Sequence, residues 1–214
     1  QSYQAYLDIY PSGRFANPAR VALQGLKPVA PTPPPTQPVQ ASQPAQQTPQ
    51  AQTRTNQVID GRYEILANGT EVKDRQTGLI WQRCAVGQQW SGSTCAGAAG
   101  KFQFENAQRL AGAGWRVPNI RELASLIVCS SGKMKDADDV GDGGPPVKNN
   151  CDSNFTRPTI QTQAFPNLPG TWFWSASNHK TDPKFAQIVN FYDGYPSSDH
   201  RGQGNFVRLV RSGQ

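Results

Sequence analysis

TWFWSAS (171–177), FAQIVNF (185–191) and NFVRLVR (205–211) are the stretches on which the fold turns. Each is dense in aromatic and β-branched residues, which suit a pleated, packed surface, so the C-terminal run from Thr171 to Arg211 reads as three strands. Asp193-Gly194 ends the second, because glycine reaches turn angles that other residues resist. Between the second and third strands, DGYPSSDHRGQG (193–204) has neither helical nor strand period and reads as an irregular polar crest. Trp172 and Trp174 alternate with Phe173 and so share one face. Asn178, His179 and Lys180 follow the first strand; Tyr192, Asp193, Tyr195, Asp199, His200 and Arg201 follow the second. With the two tryptophans they are the candidate ligand-binding residues, since rigid aromatic area beside directional Arg, Asn and Asp groups is what binding surfaces use. An arginine such as Arg201 would take a sulfate or carboxylate bidentately. Arg208 and Arg211 lie inside the third stretch and are expected to serve strand pairing.

Working outward, the chain divides by composition. Residues 1–27 read as two short helices: Tyr3, Tyr6, Leu7 and Tyr10 share a face, Pro11-Ser12-Gly13 breaks the pattern, and a second helix starts near Pro18. YLDIYPSGRFANPAR there resembles the end of a tetratricopeptide-like repeat. Residues 28–57 are a Pro/Gln-rich linker, expected to be extended as polyproline II because it holds almost no large apolar side chain. From 58 to 214 the composition is globular. Turns are expected at Asn68-Gly69 and Thr77-Gly78. An amphipathic helix is expected over FQFENAQRLAG (102–112), with Phe104, Ala107 and Ala111 on its buried face. A second is expected over NIRELASLIVC (119–129), opened by an Asn119–Glu122 capping box. The segment 130–170 reads as a long turn-rich loop.

The 214 residues carry 21 Lys and Arg against 15 Asp and Glu, a net charge of +6. That suits an anionic partner, but the positives are scattered rather than run together. The four cysteines pair most simply in sequence order, Cys84–Cys95 and Cys129–Cys151, each worth about 3 kcal/mol in the chain-entropy account. The competing zinc site lacks any C-x-x-C spacing. Disulfides imply an oxidising, extracellular setting. No apolar run reaches the roughly 18 residues of a membrane span, and nucleic acid is not an expected partner. The chain starts at Gln1 rather than Met, so removal of an upstream segment is expected. Asp136, Asp138, Gly141 and Asp142 match positions of a calcium loop, while Val140 and Val147 stand where oxygen ligands belong; calcium is thus a weak candidate, and no other cofactor is implied. His179 and His200 are the only histidines, and no nucleophile motif accompanies them, which argues against an enzyme.

KDRQTGLIWQRC, GAGWRVPNIRELASLI, IQTQAFPNLPGTWFWSAS, AQIVNFYDGY and the terminal NFVRLVR, in that order, resemble the Lcl C-terminal domain family of a bacterial collagen-like adhesin from Legionella. The resemblance spans about residues 60–212. It implies an α+β, C-type-lectin-like head: two helices flank twisted antiparallel sheets, the first and last strands pair, and the ligand face is built from the last strands and their loops. It also implies trimerisation and binding of sulfated glycosaminoglycans. A Pro/Gln linker stands where that adhesin has its collagen-like region. The expected function is a non-enzymatic bacterial surface or secreted recognition module that binds an anionic glycan or another surface ligand. The alternative is a structural subunit of a homo-oligomer or filament, joined by the N-terminal arm and linker of one copy packing on its neighbours.

Overall fold

The computed structural model describes residues 57–66, 68–138 and 147–213, with side chains described outside 136–149. The expected helices of 1–27 and the linker up to residue 56 lie outside the described residues. What is described is mostly antiparallel strand with two short helices, an α+β arrangement.

A five-stranded sheet opens the domain: β1 (Val58–Ile59), β2 (Tyr63–Ile65), β3 (Glu71–Asp74) and β4 (Leu79–Gln82), with β12 (Val210–Ser212) added beside β4. Val210 pairs with Trp81 and Ser212 with Leu79, so the last strand closes onto the first sheet at β4 and not, as the resemblance implied, on β1, which lies at the opposite edge. Gly78 donates to Asp74 O at 2.8 Å in the left-handed conformation that the β3–β4 turn requires. A three-stranded sheet has β10 (Phe185–Asn190) at its centre, between β9 (Trp172–Asn178) and β11 (Tyr195–His200). Two hairpins complete the strands: β5 (Gln89–Trp90) with β6 (Cys95–Ala96), and β7 (Met134–Asp138) with β8 (Val147–Cys151).

Three further expectations are corrected. The crest is not irregular, because residues 195–200 form β11, paired with β10 from Asn190–Tyr195 through Phe185–His200. Pro196 is tolerated because β11 is an edge strand, where one missing N–H costs no ladder bond. Residues 205–209, in turn, are no regular strand. Their backbone bonds are split between two sheets: Phe206 donates to Trp172 O, while Leu209 O accepts from Gln82 N and Val207 O from Val86 N. The segment 130–170, read as a loop, contains the β7–β8 hairpin.

Both helices are shorter than their patterns. In α1 (Phe104–Gln108), Phe104 and Ala107 are buried as expected but Ala111 is exposed, because Gly112 has already turned to pair with Trp115. In α2 (Ile120–Ala124) the capping box forms: Asn119 Oδ1 accepts from Glu122 N, and Glu122 Oε2 from Asn119 N, both at 2.9 Å. Arg62 donates to Ser125 O at 2.8 Å just past its end, and Val128 N then bonds to Thr159 O instead of continuing the helix.

Alternation along β9 and β10 assigns neighbouring side chains to two cores. Phe173 and Val189 join Tyr63, Val72, Trp81, Leu123, Phe165 and Phe191 on one side. Trp174 and Ile188 join Phe104, Ala107, Val117, Val207 and Leu209 on the other. The sheet is therefore buried on both faces, which is why FAQIVN reads as an almost unbroken apolar run. Arg208, expected in strand pairing, is fully buried instead. It donates to the carbonyls of Gln82 and Arg83, and its guanidinium lies 4.5 Å over the Phe165 ring. Burial pushes its pKa down to about 9.

Candidate ligand-binding site

The second sheet separates the expected site residues into two groups. β10 pairs Asn190 with Trp172 and Tyr195 at one end, and Ala186 with Asn178 and Asp199 at the other. Four steps along the strand hold these rungs roughly 13 Å apart, so the expected residues do not form one cluster.

At the far end most polar groups are spent on the protein itself. Arg201 donates to Glu105 Oε1 at 2.8 Å and to Asn178 Oδ1 at 2.6 Å, and its guanidinium covers the Phe104 ring at 4.4 Å. Two nitrogens of its fork are thus occupied, and it braces β9 and α1 from the end of β11. Asp199 accepts from His200 N and from Asn205 Nδ2. The Phe185 ring lies between those of His179 and His200, at 6.1 and 5.7 Å. Both histidines accept backbone N–H bonds at Nδ1, His179 from Asp182 and His200 from Gly202. Lys180 is exposed.

The near end is more open. Trp174 is a core residue with no exposure, its Nε1 donating to Phe102 O at 2.7 Å. Trp172 is half-buried, edge-on to Tyr195 at 6.3 Å. Tyr192 is 52% exposed, and Asp193 has a buried Oδ1 with no partner among the described residues. Against Tyr192 stands a residue absent from the sequence-derived set. The Arg157 guanidinium lies 4.7 Å over the Tyr192 ring and 4.3 Å over the Phe155 ring. Among the described residues it has no hydrogen bond and no carboxylate partner. Beside it, Ser153 to Arg157 line a hollow of about 360 Å³.

Several bonds fix this arrangement. Thr159 donates from both N and Oγ1 to Phe191 O, at 2.7 and 3.0 Å, and Thr156 N donates to Ser130 Oγ at 2.7 Å, which seats the Arg157 loop against β10. The Cys129–Cys151 disulfide ties β8 beneath it, and Cys151 N and Asn150 N donate to Asp193 O and Gly194 O. Gly194, at φ 74°, sits so close that a Cβ would meet Ile127 Cγ2 at 2.8 Å and Cys151 Sγ at 3.3 Å. The other bridge joins Cys84 to Cys95. Phe155 and Arg157 were not legible because their partner Tyr192 is 35 residues or more away along the chain; the only local signal is the aromatic–arginine spacing in NFTRP.

Of the weak calcium candidates, Asp136 and Asp138 fall on β7 and Asp142 lies outside the described residues. Among the described residues no group of three or more His, Cys, Asp or Glu is placed to hold a metal ion. No helix among them is long and apolar enough to cross a membrane.

No curated protein and no solved structure matches the chain. The sequence pattern of the Lcl C-terminal domain does match, over residues 70–211, from the turn before β3 to the last strand. That span is well over half of the 214 residues and contains both sheets' central strands, both helices and both disulfides: the chain belongs to the Lcl C-terminal domain family.

Proposed function

We propose that this chain is a non-enzymatic recognition module of a bacterial surface or secreted protein, with a C-type-lectin-like head that takes an anionic group of a glycan at Arg157. Family membership and the two disulfides support the adhesin-like, extracellular setting. The observation that carries the ligand class is the Arg157 guanidinium, which lies over two rings and is bonded to no acceptor among the described residues. Stacking orients a planar fork at little further entropic cost, and a sulfate or carboxylate matches that fork bidentately. Tyr192 adds exposed aromatic area beside it for a sugar face.

Retention of the full chain on immobilised heparin tests this reading. Arg157→Ala is expected to weaken binding by about 10- to 100-fold, the value of a charge-assisted bidentate contact. Arg157→Lys loses most of it too, since an ammonium keeps the charge but not the fork. Arg201→Ala leaves binding intact. Unchanged retention of a folded Arg157→Ala protein rules the site out.

A further inference from the structure

A second hollow, on different elements, has chemistry the first lacks. It is about 190 Å³ and lies between Trp90 on β5 and Trp115 after α1, floored by Thr70, Glu71 and Gln82. We propose that it is a subsite for one uncharged pyranose ring, packed against the indoles and hydrogen-bonded by the Thr70 hydroxyl and the Gln82 carboxamide. The inference is independent of the Arg157 reading.

The walls are rigid. Arg83 lies 4.0 Å over the Trp90 ring and is itself held by three backbone carbonyls, those of Ala164, Gly69 and Gln163. Gly69 packs so closely on Trp90 that a Cβ there would stand 3.0 Å from Nε1. Trp115 packs on the second core and has the Arg211 guanidinium 5.2 Å from its ring. Arg211 in turn donates to Glu71 Oε2 at 2.7 Å. The Thr70 hydroxyl and the Gln82 side-chain amide have no partner among the described residues. Gln88 is spent, accepting from Ala85 N and donating to Asn167 O.

These facts choose among ligand classes. Two tryptophans and a carboxylate could cage a quaternary ammonium. Here, however, each ring already has an arginine at its face and Glu71 is already ion-paired, so a further cation gains little. An anion would find no free fork on Arg83, whose three nitrogens all donate to backbone carbonyls, and at Arg211 it would compete with the Glu71 carboxylate already bonded to Nη2. What remains unsatisfied is a hydroxyl and an amide, each both donor and acceptor, which matches the hydroxyls of a neutral sugar. The hollow is smaller than the roughly 300–1,000 Å³ of drug-sized sites, which limits the occupant to a single ring.

The test is a titration of the full chain, ¹⁵N-labelled, with glucose, galactose, mannose and N-acetylglucosamine in turn, reading the five indole N–H signals. At least one sugar should shift the Trp90 and Trp115 signals and leave those of buried Trp81 and Trp174 in place. The affinity should be about millimolar, which roughly 12 heavy atoms sustain in an open site. Thr70→Val and Gln82→Leu, surface changes that spare the indoles, should each weaken it at least threefold. Silence with all four sugars overturns the proposal. So do shifts that both variants leave unchanged, or a response to choline or sulfate alone.

Discussion

Asp74 shows how much one side chain can carry. It is fully buried as the last residue of β3, and burial alone would raise its pKa. Against that, Arg62 donates to both its oxygens at 2.9 and 2.7 Å, and Gln76 N and Thr77 Oγ1 add further bonds. These outweigh desolvation and hold the carboxyl below the ordinary value of 3.8. A carboxylate with a depressed folded-state pKa binds fewer protons folded than unfolded. Its stabilisation is therefore complete above the unfolded pKa and is lost as pH falls through the folded one. Asp74→Asn should cost about 2 kcal/mol at pH 7, discounted because Arg62 is partly solvated. The difference between variant and parent in urea unfolding should shrink at pH 3; a gap that stays constant from pH 7 to pH 3 would place the loss elsewhere.

At the scale of elements, local chemistry and tertiary pairing divide the work. The Asn119–Glu122 box at α2 is wholly local: four adjacent residues satisfy each other's donors. Glu122 is also gripped by Arg116 at 2.6 Å through both oxygens. Asn119→Ala should accordingly cost about 1 kcal/mol, read as a lowered urea midpoint with unchanged slope. Features of this kind were legible in the sequence, as were β9 and β10 from their aromatic and β-branched content. YPSSDH was not, because nothing in it favours a strand; its conformation comes from the ladder that β10 offers along all six residues. The site divides in the same way. Arg201 has the residue type of an anion ligand, yet Glu105, 96 positions away, occupies one nitrogen of its fork. Among the described residues Arg157 differs for the opposite reason, because the neighbours around its guanidinium are rings rather than carboxylates.

At the scale of the whole domain, the second sheet lies between two cores, and adjacent residues on β9 belong to different ones. Phe173 is fully buried in the first, its ring 5.4 Å from Phe191; Trp174 is fully buried in the second, 5.4 Å from Phe104. Neither core can lose its packing without loosening the strand that the other needs. The segment 205–209 adds to this, bonding to β9 through Phe206 and to the chain around β4 through Val207 and Leu209. The described domain should therefore unfold in one cooperative step with both disulfides intact. Phe173→Ala and Trp174→Ala should each cost about 3–5 kcal/mol, a large share of the 5–15 typical of a domain. Tryptophan fluorescence and far-UV circular dichroism should give one shared midpoint for the parent and for each variant. If the cores were separate, Trp174→Ala would instead split the two signals, with fluorescence from the second core moving ahead of the loss of secondary structure.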